Sequence, residues 1–195
     1  MWWNSSPDRR FRRAKYADYF ARLDRNENGV LEREDFATYV AAIADGLGAA
    51  GSAPTEEALD RLRNATTTFW TMLVATLDVD GDQAIDLDEL VGAFSQAALD
   101  AEHNGVVPPW AAEHAVATFR VLDVDGDGAI DLAEYQAYLS AIGSRADAAA
   151  AFSQLDVNGE GAIQLADVEK RYREWLESGD RNAPGNVLLT GQLPE

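Results

Sequence analysis

The sequence predicts an all-α protein of about eight helices, four helix–loop–helix units in two pairs forming one compact body. Three observations carry this. Acidic windows of twelve residues recur four times, at 24–35, 78–89, 123–134 and 156–167. Apolar residues at spacings of three and four lead into each window, as they do on the buried face of a helix. Each window also carries an aliphatic residue at its eighth position: Leu31, Ile85, Ile130 and Ile163. Self-similarity of this kind marks a repeated supersecondary unit that buries its apolar face against its neighbours.

Composition narrows the function classes. A hydrophobic content of 47% argues against disorder, so the formal net charge of −18 needs a local cause. The four windows hold 19 of the 34 acidic residues. The charge is therefore concentrated where divalent cations would neutralise it. Such a surface disfavours nucleic acid, whose phosphates demand positive charge. The chain has no cysteine, so disulfides, thiolate zinc sites and thiol catalysis are excluded. The N-terminal stretch lacks a signal peptide's apolar run, and no stretch approaches the ~20 apolar residues of a membrane span. A cytoplasmic protein is the expectation.

Taken in order, Ser6-Pro7-Asp8 reads as a helix start, with a capping hydroxyl, proline in the first turn and an acid near the positive dipole end. That helix runs to about Leu23. Its Arg9, Arg10, Arg12 and Arg13 form the one basic cluster, read first as a solvated face that offsets the acidic loops, with docking on an acidic partner or an anionic membrane as the alternative. Trp2 and Trp3 are expected to bury against the body. After the first window a helix from Phe36 to about Ile43 ends in a Gly/Ala/Ser/Pro-rich linker, 45–54. Thr55-Glu56-Glu57 opens a long helix whose stripe includes Leu59, Leu62, Thr66, Phe69, Leu73 and Leu77. A helix from Leu87 to about Leu99 and a looser stretch, 100–108, follow the second window. Pro108-Pro109 starts the helix that carries Trp110, Phe119 and Leu122 into the third. Tyr135, Tyr138, Leu139 and Ile142 face inward beyond it, Gly143 ends that helix, and Ser144 caps the next. His103 and His114, in no metal-ligand motif, read as ordinary surface groups.

The third window, DVDGDGAIDLAE, has the strongest chemistry. Asp123, Asp125 and Asp127 would each offer one oxygen, Ala129 its carbonyl, Asp131 a ligand held through water, and Glu134 both carboxylate oxygens. Gly128 permits the turn between them. A hard cation of calcium's size takes six to eight oxygens, and this spacing supplies them. In the second window Asp78, Asp80, Asp82, Ala84, Asp86 and Glu89 repeat the set. Gln83 stands where glycine belongs, and a side chain at positive φ costs roughly 1 kcal/mol. In the first, Asp24, Asn26, Asn28, Val30 and Glu32 are followed by Asp35, one methylene shorter than glutamate, which works against bidentate reach. The fourth offers Asp156, Asn158, an oversized Glu160, the Ala162 carbonyl, neutral Gln164 and again a short Asp167. Three to four calcium sites are expected, ranked third, second, first, fourth. Magnesium, which prefers six oxygens, is a candidate at 24–35 and 156–167.

These windows resemble the EF-hand calcium loop, the third at every constrained position. With four of them, a long connection between the first two and aspartate closing the first, the chain resembles the sarcoplasmic calcium-binding proteins, and the bacterial calerythrin in style. The resemblance extends to the end, where SGDRNAPGNVLLTGQLP is similar to that family's tail. It implies that Val187, Leu188, Leu189 and Leu193 fold back on the interior. It also implies a calcium and magnesium buffer. The chain departs from the family in its full acidic second loop and its weak fourth. The expected division is an N-terminal pair over 1–100, a C-terminal pair over 101–177 and a tail over 178–195.

The rival reading is a sensor that opens a groove for a target helix. Sensor grooves favour methionine, and this chain has two. No target protein is indicated, and a monomer is expected. An enzyme is not expected: no nucleophile sits in a recognisable context, no glycine loop cradles a phosphate, and the paired carboxylates serve as ligands.

Overall fold

The computed structural model describes residues 7–51, 53–78 and 80–194. Trp2 and Trp3, expected to bury against the body, lie outside the described residues, as does Ser6. Helix α1 (Pro7–Leu23) leads through strand β1 (Val30–Leu31) into α2 (Arg33–Ala49). Then come α3 (Glu56–Leu77), β2 (Ile85–Asp86) and α4 (Leu87–Asn104). The second half repeats the order: α5 (Pro109–Leu122), β3 (Ala129–Ile130), α6 (Leu132–Ala141), α7 (Ala148–Leu155), β4 (Ile163–Gln164) and α8 (Leu165–Glu177). A 3₁₀ turn at Pro184–Val187 closes the chain.

The aliphatic eighth positions pair the loops. β1 lies antiparallel to β2 with Leu31 opposite Ile85, and β3 to β4 with Ile130 opposite Ile163. All four side chains are buried. The two halves share one core, because α3 packs along α5 and α2 along α6. At its centre Phe94 meets Tyr16 at 5.3 Å and Trp175 at 5.6 Å between ring centroids. Phe69 stacks on the His114 ring at 4.5 Å. Burying large aromatics in edge and stacked contacts adds specific geometry to the area term.

Several elements differ from the sequence expectation. α2 runs six residues past Ile43, into the predicted linker. In that added stretch a Cβ on Gly46 would lie 2.8 Å from the Ala141 Cβ, so glycine lets α2 close on α6. α4 continues to Asn104 and stops at Gly105, whose φ of 74° is the left-handed helix cap. α7 is capped by Asp147, which accepts from the Ala149 and Ala150 amides, and not by Ser144. Ser144 instead donates to the Thr190 carbonyl at 2.7 Å. His114 is a core residue at 2% exposure, where the sequence suggested a surface one.

The tail folds back as the resemblance implies. Val187, Leu188 and Leu189 are buried, while Leu193 is 36% exposed and does not share that role. Tyr135 donates to the Val187 carbonyl at 2.7 Å and Tyr138 to that of Leu189 at 2.9 Å. Gly185 lies so close to α8 that a Cβ would sit 2.2 Å from the Arg171 carbonyl oxygen. The last carbonyls of α8 have no partner within the helix, and α1 supplies donors for them. Lys15 donates to the carbonyls of Trp175 and Ser178, Tyr16 to that of Leu176, and Arg12 to that of Glu177. A cation at a helix C-terminus also opposes its partial negative charge.

Candidate metal centres

In the first three loops, side-chain oxygens at the first, third and fifth positions accept the loop's own amides. In the third, Gly128 donates to Asp123 Oδ2 at 3.1 Å, Asp127 to Asp125 Oδ1 at 3.2 Å and Ala129 to Asp127 Oδ1 at 2.8 Å. In the second, Gln83 donates to Asp78 Oδ2 at 3.0 Å, Asp82 to Asp80 Oδ1 at 3.2 Å and Ala84 to Asp82 Oδ1 at 2.8 Å. The first repeats this with Asp24, Asn26 and Asn28. The fourth keeps it at Asp156 and Asn158. These turns need positive φ at two places. The sixth position has it at Gly29, Gln83, Gly128 and Gly161, and the fourth at Glu27, Gly81, Gly126 and Gly159. Gln83 at 63° follows from the motif; Glu27 at 58° was not anticipated.

The twelfth position separates the loops. Glu134 accepts from the amides of Val124 and Asp131, each at 2.9 Å, so its carboxylate lies across the loop. Glu89 accepts from Asp86 at 3.0 Å. Asp35, despite its shorter side chain, accepts from Arg25 at 3.0 Å and Glu32 at 2.9 Å and is 2% exposed. Asp35 is one methylene shorter than glutamate, and the first turn of α2 still holds it within reach of both amides. Asp167 has the same length but is exposed and takes neither bond. In its loop the second-position amide, Val157, donates to the Leu155 carbonyl instead.

Two groups of acids converge. Asp78, Asp80 and Asp82 bring oxygens within 4.8 Å of one another, as do Asp123, Asp125 and Glu134. The first loop, with asparagine at its third and fifth positions, and the fourth, with its exposed Asp167, give no such group among the described residues. Burial pushes the Glu134 carboxyl pKa up, the Asp131 and Asp125 charges add to this, and the two amide bonds oppose it. Asp123 Oδ1 is buried without a hydrogen-bond partner. An orphaned carboxylate oxygen facing other carboxylates is costly unless a cation completes it. The donors are all oxygen, which suits a hard cation. Neither histidine joins a metal-ligating group among the described residues.

Residues 115–140, which span the third loop, match the family model described as EF hand. The fold is that of the EF-hand superfamily. Nothing among the curated proteins matches the sequence. Solved structures do. The chain is similar to a sarcoplasmic calcium-binding protein from amphioxus, with 22% identity and a TM-score of 0.73 over 94% of this chain and 98% of that one. A Streptomyces coelicolor calcium-binding protein, described for prokaryotic calcium-mediated regulation, aligns at 26% identity and a TM-score of 0.68, covering 85% of this chain and 97% of its own. The coelenterazine-binding protein of Renilla muelleri aligns at 21% and 0.69, over 97% and 99%. The chain thus resembles the sarcoplasmic calcium-binding proteins in its whole EF-hand architecture.

Proposed function

We propose that this EF-hand protein binds calcium at three sites and serves as a cytoplasmic calcium buffer or modulator. The observation that carries the reading is the inward fold of the twelfth-position carboxylates Asp35, Glu89 and Glu134. The ligands would be Asp123, Asp125, Asp127, Ala129 and Glu134 in the third loop, and Asp78, Asp80, Asp82, Ala84 and Glu89 in the second. In the first they would be Asp24, Asn26, Asn28, Val30 and Asp35, with magnesium competing because fewer carboxylates contribute. The fourth set, Asp156, Asn158, Glu160, Ala162 and Asp167, is the weakest, because Asp167 is exposed and accepts neither loop amide. The pairs divide at about residue 100, and the tail begins near 178.

Storage is favoured over signalling by the tail. Val187, Leu188 and Leu189 occupy the apolar surface beside α6, α7 and α8 that a target helix would otherwise use. The two calcium-binding relatives and the oxygen-only donor sets support the choice of ion. The protein acts as a monomer and without catalysis. The test is calcium-dependent binding of an environment-sensitive dye. A flat signal on calcium addition supports the buffer; a steep rise would mean that calcium opens a target groove, and the sensor reading would replace this one.

A further inference from the structure

A groove of about 830 Å³ runs between α1, α4 and α8, with none of the loop ligands in its lining. Its rim carries Arg9, Arg10, Arg12 and Arg13 from α1, and Lys170 and Arg173 from α8. Those six account for more than a third of the chain's 16 basic residues, against three carboxylates in the same groove, Glu102, Glu174 and Glu177. A protein of net charge −18 thus gathers a local positive excess in one place. At physiological salt, charges act over roughly 8 Å, so the local excess rather than the net charge governs what settles there.

Not every cation is available. Arg12 holds the Glu177 carbonyl, and Arg173 holds Glu177 and the carbonyls of Ala101 and Gly105. Arg13 meets the exposed Asp88. Arg10 and Lys170 are exposed and have no partner among the described residues. The floor between the rims is apolar and low. Val91 and Ala98 are buried beneath it, Leu99 stands 38% exposed, and a Cβ on Gly92 would meet nothing within 4 Å. A track of glycine, serine and leucine on one helix face lets another backbone approach closely, which is how an amphipathic helix beds into a groove.

From these features we propose that the groove docks an amphipathic helix of a partner protein, its apolar stripe on Val91, Gly92, Ser95 and Leu99 and its flanks acidic toward Arg10 and Lys170. The charge on the rims selects this occupant over the basic helices that acidic proteins commonly attract. The inference goes beyond calcium storage and does not depend on it, because the groove is present without any opening motion.

The experiment titrates calcium-saturated protein, with isotope-labelled amides, against two synthetic helices of matched leucine pattern, one with glutamate flanks and one with lysine flanks. Amide shifts at Gly92, Ser95 and Leu99 are the readout, so that lysine peptide gathering on the acidic loops is not mistaken for docking. The glutamate helix is expected to shift those amides, with affinity reduced about tenfold by Arg10→Glu with Lys170→Glu. Gly92→Trp, which changes no charge, is expected to abolish the shifts while circular dichroism stays unchanged. Equal shifts with both helices, or none with the glutamate helix, overturns the proposal. Two more outcomes overturn it: docking on phosphatidylserine vesicles in place of the peptide, and peptide binding seen only after residues 1–6 are removed.

Discussion

Lys15 and Asn186 lie 171 positions apart, and the lysine Nζ donates to the asparagine Oδ1 at 2.8 Å inside the core. Asn186 is fully buried and passes the link on, its amide donating to the Asp180 carbonyl at 2.7 Å. Together with the Trp175 and Ser178 carbonyls, three oxygens receive one ammonium. The contact ties the first helix, the last helix and the tail into one unit. Replacing Lys15 with Met would strip those oxygens of their donor while keeping the volume. Bonds from charged donors contribute about 1.5–3 kcal/mol each to buried partners, and the lost desolvation cost of the ammonium offsets part of this. We expect a net loss of roughly 2–4 kcal/mol in chemical denaturation. Asn186→Ala should lose less.

The tail contact at Gly185 offers a test of a different kind. Its backbone approaches the Arg171 carbonyl, which belongs to a helix and has little room to yield. Gly185→Ala should therefore lift the tail from α8 rather than shift a side chain. The expected loss is about 1–3 kcal/mol, accompanied by dye binding in the absence of calcium. An alanine variant with unchanged stability and no dye signal would show that the tail is not held by this approach.

Acid sensitivity should come in part from the core. His114 is buried against Phe69 and Tyr39, 3.4 Å from the Tyr19 hydroxyl, with Nε2 lacking a partner. Burial brings its pKa down from 6.5 to about 4. The folded state thus holds the neutral ring, and the group's contribution is complete above pH 6.5 and lost as pH falls toward 4. Full protonation forfeits about 3 kcal/mol. His114→Phe should remove that slope, read as the difference between the two proteins' denaturation midpoints across this window. Burial and the Arg12 charge bring the Lys15 pKa down, while the three oxygens that receive its ammonium favour the charged form.

Backbone strain is split between the first two loops, at Glu27 in one and Gln83 in the other, where the third and fourth have glycine at both places. Gln83→Gly should relieve up to about 1 kcal/mol, partly offset by glycine's entropy in the unfolded chain. The converse change, Gly128→Gln in the third loop, should cost a similar amount. Calcium affinity of each loop, followed by isothermal titration, would move in the same directions by a few-fold.

The sequence was informative wherever the chemistry is local. A loop that must gather oxygens within twelve residues writes its ligands at fixed spacing, and its aliphatic eighth position marks the residue through which the loops pair. It was silent where partners are distant. Arg12 belonged to a basic cluster that looked solvated, and only the fold shows it and its neighbour Lys15 reaching the end of α8. Gly46 looked like linker because its reason, Ala141, lies in the other half of the chain. His114 carried no signal of burial beyond the apolar stripe around it. Asp35 and Asp167 are the same residue at the same position, yet one is buried and accepts two loop amides while the other is exposed and accepts none.

That last contrast is the point on which the account rests, and calorimetric titration of calcium tests it most directly. Run with and without millimolar magnesium, it should give three sites, with the weakest of the three suppressed by magnesium and assigned to the first loop by its loss in Asp35→Ala. A fourth site removed by Asp167→Ala, or fewer than two sites in all, would contradict it.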